Sequence, residues 1–348
     1  MFGFFWDLVS HDMGIDLGTS NTLVFVRGKG IAIRAPSVVA VLRASKKPIA
    51  IGEEAKRMVG KTPKAILAIR PLRDGVISDF DATEAMLRHY IQKIHSAPSM
   101  IPKIPRPRVV IGIPSGVTEV ERRAVHDAAI AAGARRAFLI EEPMAAAIGA
   151  GLPIHDPSGI LVVDIGGGTT EIAVLSLGGI VLNRSIRVAG DEIDIEIENY
   201  VRARYGLLIG QPTAEEVKIA IGSAVPLEKE REYVIRGRDL TSGLPRSMKV
   251  GSTEIREAMS GPIRQIVRTV VETIEETPPE LVSDILERGI TIAGGGALVS
   301  GIDKLIMEET KMPVWVADDP LTAVVRGCGK VIEDEKLLRR VMVTEGLQ

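Results

Sequence analysis

The chain has 348 residues, 45% of them apolar and 25% charged, which is enough material for two hydrophobic cores. A formal charge of −2 gives no electrostatic reason to expect a nucleic acid as partner. The single cysteine, Cys328, excludes an internal disulfide, and no uninterrupted apolar run of about 18 residues is present to cross a bilayer as a helix.

The first residues stand apart. Phe2, Phe4, Phe5 and Trp6 crowd together in a chain whose aromatic content is only 3%. Phe2, Phe5, Trp6 and Val9 fall at i, i+3, i+4 and i+7, one face of a short helix. The stretch lacks the basic start and longer apolar run of a secretory signal. Such a face suits either a membrane surface or the protein's own core. Each large side chain buried would contribute roughly 1.5–3 kcal/mol at most, so one helix holds weakly and many copies hold by avidity. Residues 1–12 contain no Lys or Arg, so attraction to anionic lipid is modest.

Residues 13–43 read as strands joined by glycine turns, and a smaller inserted unit then ends in a helix, Ala82–His95. A proline-rich loop, Ser96–Pro107, carries the apolar pair Met100 and Ile101. Val109–Pro114 reads as a buried strand. Thr118-Glu119-Val120-Glu121 fits a capping box, opening a helix that runs to about Ala132 and stops at Gly133. Ala137–Ile140 is a strand and Glu141–Gly149 a helix. The order then repeats: strands over 160–188, an inserted unit, a helix over 263–276, a strand over 289–293 and a helical region from about 320. Alternating strands and helices in two similar halves predict an α/β clamp of two domains. The ligand is expected between them, at the carboxyl ends of the strands.

Three glycine-rich segments give the clamp its chemistry. Asp16, Gly18 and Thr22 recur as Asp164, Gly166 and Thr170, each set inside an apolar strand–turn–strand. Glycine there allows close approach and positive φ, so that successive amides point at an anion. Thr19, Ser20 and Asn21 in the first turn, and Gly166, Gly167, Gly168 and Thr169 in the second, are the expected phosphate donors. Asp16 and Asp164 are placed to hold a hydrated divalent cation, Mg²⁺, largely through water. Gly294, Gly295, Gly296, Ala297 and Leu298 form a third loop with room for a nucleoside. The P-loop pattern for phosphate binding is absent. Gly327-Cys328-Gly329-Lys330 has the wrong spacing for it and reads as helix packing.

The paired hairpins, together with Ala68–Ile77, Leu139–Leu152 and Thr277–Asp284, resemble the MreB family of bacterial actin homologues. That family lies within the superfamily of actin, sugar kinases and heat-shock chaperones. The likeness runs from about Asp12 to about Glu333. It implies an actin-like, ribonuclease H-like fold of two domains, each with a duplicated sheet-and-helix core and a smaller insertion. A membrane-binding segment would cover 1–11. The first domain would cover 12–155 plus 320–348, with an insertion at about 41–95, and the second 156–319, with an insertion at about 191–262. The resemblance implies ATP, with GTP left open, hydrolysed slowly by a structural polymer. Glu142 in Glu141-Glu142-Pro143 stands where the family carries its catalytic glutamate, with Asp164 and the Thr169 hydroxyl assisting. Glu215, Glu216, Val217 and Lys218 match the helix that flanks ribose and base. Ala220 departs from a common Glu, and Ser20 from a common Ala. Asp191 is expected to cap a helix.

By resemblance the chain would form head-to-tail protofilaments paired antiparallel, with helix 118–132 a candidate lateral contact. The partners implied are inner-membrane lipid and membrane wall-synthesis proteins of the RodZ and MreC/MreD type, at the cytoplasmic face. Met100 and Ile101 would touch lipid or pack in the core. The alternatives are another actin-superfamily scaffold of the FtsA or PilM type, a small-molecule kinase, or a chaperone ATPase. No segment compels a sugar-binding base, and the residues beyond the last glycine loop are expected to be too few for a peptide-binding domain.

Overall fold

The computed structural model describes residues 10–96 and 104–343. Phe2, Phe5, Trp6 and Val9, and the loop pair Met100 and Ile101, lie outside the described residues. Two five-stranded mixed sheets share one strand order. In the first, Met13–Leu17 is central. Asn21–Val26 flanks it antiparallel, Gly30–Pro36 pairs antiparallel with Asn21–Val26, and Arg108–Ile113 and Arg136–Glu141 run parallel on its other side. In the second, Ile160–Ile165 is central. Thr170–Ser176 and Gly179–Ile186 stand on the antiparallel side, Ile290–Ala293 and Val314–Val316 on the parallel side. The central strands are near-continuous runs of buried aliphatics, as strands covered on both faces must be. We call the halves built on these sheets the first and second lobes.

Local signals decide most helix starts. Thr118 caps helix Glu119–Ala131 with both halves of the capping box formed, and Gly133 follows the helix end at φ 115°. Asp79 caps helix Phe80–His95 by accepting from the Ala82 amide. The expected helix over 263–276 starts much earlier: it runs Ser252–Glu276 through Pro262. Proline loses one backbone bond in a helix, but Ile255, Met259, Ile263, Ile266 and Val270 form one buried stripe across it. Burial of that stripe outweighs the local penalty.

The lobes join where helix Glu142–Ala150 crosses helix Ala323–Glu333. A Cβ on Gly149 would sit 1.8 Å from the Ala323 carbonyl oxygen, and one on Gly327 would sit 1.9 Å from that of Ala145. Gly329 lies against the Phe25 ring, and Gly14 against the Cys328–Gly329 backbone. Gly327-Cys328-Gly329 is therefore a packing device, as its spacing suggested. Smaller three-stranded sheets, of Val39–Leu42, Pro48–Ile51 and Ile66–Ile69 in the first lobe and Leu207–Leu208, Glu232–Asp239 and Pro245–Gly251 in the second, lie beside the main ones. Among the described residues no helix is long and apolar enough to cross a membrane.

Candidate functional site: a cleft between two aspartate hairpins

Asp16 and Asp164 both occupy the penultimate position of a central strand, so the duplicated sheet delivers them to equivalent places. The matching threonines serve the hairpins themselves: Thr22 Oγ1 is 2.8 Å from Ser37 Oγ, and Thr170 Oγ1 donates to the Val188 carbonyl at 2.7 Å. The two turns meet across a cleft of about 550 Å³. A Cβ on Gly167 would fall 2.2 Å from Ser20 Oγ, and one on Gly168 would fall 2.7 Å from Thr19 Oγ1. Close approach, rather than backbone twist, is what requires glycine here. Gly18, Gly166, Gly167 and Gly168 do not adopt the positive φ anticipated for them. Gly294 does, at 78°, and a Cβ there would meet Asp164 Oδ1 at 2.5 Å.

Asp16, Gly18, Thr19, Ser20, Asn21, Glu142, Asp164, Gly166, Gly167, Gly168 and Thr169 all line the cleft, as do Gly294, Gly295, Gly296 and Leu298. Ala297 instead points into the second lobe's core. Helix Gln211–Ile221 turns Glu215, Lys218 and Ile219 toward the cleft. Val217 is fully buried in the core and Glu216 is exposed away from the cleft, because a 3.6-residue period cannot place four consecutive residues on one face. Ala220 packs against the same core and does not line the cleft. The Lys218 ammonium lies 2.8 Å from the Asp194 carboxylate and donates to the Gly190 carbonyl at 2.9 Å. Asp191 is not a cap: Ala189 holds that position, and the Asp191 carboxylate pairs with Arg70.

The site gathers buried acids that raise one another's proton affinity. Burial lifts Asp16 to about 7. Burial, then the nearby Asp16 and Glu171, lift Asp164 to about 8. Glu142 is raised well above the ordinary carboxylate range by burial and then by Glu171, Asp16 and Asp164. Asp164 Oδ1 is buried with no hydrogen-bond partner. Among the described residues no three acidic, His or Cys side chains are arranged to ligate a metal directly. An orphaned carboxylate oxygen beside repelling acids fits a cation held through water and phosphate, not one gripped by side chains alone.

Sequence reasoning assigned no role to the hairpin Leu72–Arg73/Val76–Ile77, whose Gly75 amide donates to Thr19 Oγ1 at 3.1 Å and which helps wall the cleft. Its signal was present in Asp74-Gly75, at φ 49° and 74°. Arg231, Ser300, Pro320, Leu321 and Val324 also line the cleft, and no motif announces them.

The family model described as MreB/Mbl protein matches residues 10–340. The chain is 53% identical over 333 residues to the cell shape-determining protein MreB of Escherichia coli strain K12, covering 94% of this chain and 95% of that one. It is 49% identical over 334 residues to Mbl of Bacillus subtilis strain 168, covering 96% and 99%. The crystal structure of MreB5 of Spiroplasma citri bound to ADP superposes with a TM-score of 0.88 at 41% identity, covering 95% and 98%. The same protein bound to AMPPNP gives 0.87. A MamK double helical filament, 23% identical, shares the fold at a TM-score of 0.79. The fold is thus actin-like, as the sequence implied. Matched nearly end to end by the family model and by relatives of about half its sequence, this chain belongs to the MreB/Mbl family.

Proposed function

We propose that this chain is the subunit of an ATP-dependent, membrane-associated filament that organises cell-wall synthesis and maintains rod shape, and that it hydrolyses its nucleotide slowly. One observation carries the reading: two equivalent aspartate hairpins and the buried Glu142 meet in a single cleft between the lobes. The two glycine turns offer backbone donors to a polyphosphate from opposite sides. Asp16 and Asp164 would hold magnesium through water. The bound ion supplies neutralisation of the phosphate oxygens. Glu142, buried at the cleft wall, orients the attacking water and accepts its proton, and the Thr169 hydroxyl helps to fix that water. Glu215, Lys218 and the Gly294–Leu298 turn flank the nucleoside.

ATP bridging the lobes favours one closed subunit shape, which presents complementary ends for head-to-tail contacts that do not close into a ring. Helix Glu119–Ala131, with Val120 80% exposed, suits the lateral contact of an antiparallel pair. The stripe Phe2, Phe5, Trp6 and Val9, with Met100 and Ile101, supplies the lipid contact at the cytoplasmic face of the inner membrane. RodZ and MreC/MreD-type proteins are the proposed wall-synthesis partners. The relatives named for determining cell shape and those solved with ADP and AMPPNP support this reading. Sedimentation with ATP, GTP or no nucleotide, followed by electron microscopy on lipid with and without residues 1–9, tests it. Pellets that need ATP, and lipid decoration that needs residues 1–9, are expected. Soluble monomer under every nucleotide would overturn it.

A further inference from the structure

Glu171 is a buried acid of the cleft region to which the mechanism above assigns no task. It lies on strand Thr170–Ser176, paired across the sheet with Asp164 on one side and Ser185 on the other, and is 1% exposed. Its carboxylate accepts two hydrogen bonds from different lobes. The Ser185 hydroxyl of the second lobe donates at 2.6 Å, and the Ser115 backbone amide of the first lobe donates at 3.1 Å. Ser115 lies in the loop after strand Arg108–Ile113, and that loop presses closely on the second sheet: a Cβ on Gly116 would lie 3.1 Å from Ser185 Cβ. Pro114, one residue earlier, packs beside Gly75 of the cleft wall. A Cβ on Gly75 would meet the Pro114 ring at 2.6 Å and the Thr169 side chain at 3.0 Å, so Pro114, Gly75 and Thr169 form one packed group. Holding the Ser115 amide therefore holds the wall beside the Thr169 hydroxyl.

We propose that Glu171 is a positioning residue for the hydrolysis: its carboxylate pins the 114–117 loop of the first lobe onto the second lobe's sheet and so sets Pro114 against Thr169. The inference rests on the hydrolysis reading above. A carboxylate is suited to the task because it only accepts, and both groups facing it can donate. Glutamine keeps the pin, since its carbonyl oxygen can accept from Ser115 while its amide donates to a rotated Ser185 hydroxyl. Alanine removes it.

The test uses the full chain with ATP and magnesium and compares wild type, Glu171→Ala and Glu171→Gln. Phosphate release at saturating ATP gives kcat, its concentration dependence gives KM, and amide exchange is followed over 115–117. A displacement of about 1 Å at a reaction site can cost up to ~100-fold in rate. Glu171→Ala is therefore expected to lower kcat by about tenfold or more, to leave KM within about twofold, and to speed exchange over 115–117. Glu171→Gln is expected to restore both. Exchange unchanged in Glu171→Ala, or Glu171→Gln as slow as Glu171→Ala, would overturn the pin. A hydrolysing wild type matched by Glu171→Ala would remove the positioning role alone. A wild type that binds ATP and releases no phosphate would instead overturn the hydrolysis reading, and the positioning role with it.

Discussion

Arg70 Nη1 stands 2.8 Å from Asp191 Oδ1, joining the end of strand Ile66–Ile69 in the first lobe to the start of helix Gly190–Tyr205 in the second. The Asp191 amide also donates to the Gly167 carbonyl at 2.7 Å, so this clasp is continuous with the second phosphate turn. Lys56 and Glu215, 2.9 Å apart, make another bridge between the lobes. Partly exposed pairs of this kind contribute about 0.2–1 kcal/mol each. Arg70→Ala and Asp191→Ala are expected to weaken ATP binding by a few fold, with a double-mutant coupling of roughly 0.5–1 kcal/mol by calorimetry. Additive effects would mean that the pair does not help to close the cleft.

Glu142 can be separated from binding. Glu142→Gln keeps the shape and removes the base, so phosphate release should slow by about 10²–10⁴-fold while ATP affinity stays close to wild type. A single-turnover assay with independently measured binding checks both halves of that statement.

The acids of the cleft make stability depend on pH. Asp16 and Asp164 rise from 3.8 to about 7 and about 8 on folding. The folded chain therefore holds more protons than the unfolded chain across that window, and stability falls as pH rises through it. Thermal unfolding of metal-free protein should show greater stability at pH 5 than at pH 8, by at most a few kcal/mol in order of magnitude. Asp164→Asn should flatten the slope and weaken magnesium-dependent ATP binding. A slope of opposite sign would contradict the burial argument.

Gly149 and Gly327 let two helices touch backbone to backbone at the junction of the lobes. Gly149→Ala places a methyl group where the Ala323 carbonyl already lies. Overpacking of this kind costs about 1–3 kcal/mol, and a rigid backbone neighbour puts this case at the upper end. Urea denaturation would measure it. Gly151→Ala is a weaker control, because nothing lies within 4 Å of its missing Cβ and only its φ of 79° resists.

Much of the fold was legible because its signals are local. The capping box at Thr118, the repeated Asp-x-Gly turns and the aliphatic strands each depend on neighbours a few residues apart. The helix over Ser252–Glu276 was misjudged because a proline is a local stop, whereas the buried stripe that overrides it is a tertiary fact. The same distinction divides the site. Asp16, Glu142 and Asp164 announced themselves through spacing or family likeness, and the structure brings them together. Val217, Glu216 and Ala297 shared a motif with lining residues but face elsewhere, since a motif records sequence neighbours and not the direction of a side chain.

By itself the sequence determined that two equivalent turns would each offer an aspartate and closely spaced amides, because strand alternation and glycine act over a few residues. Only the tertiary structure decided which groups face those turns. It buried Glu171 between two donors, engaged Lys218 with Asp194, and brought Arg231 and Leu321 to the cleft from distant segments. The reason is physical: burial and ion pairing depend on what packs alongside in space, and in this chain the packing partners lie far apart along the backbone.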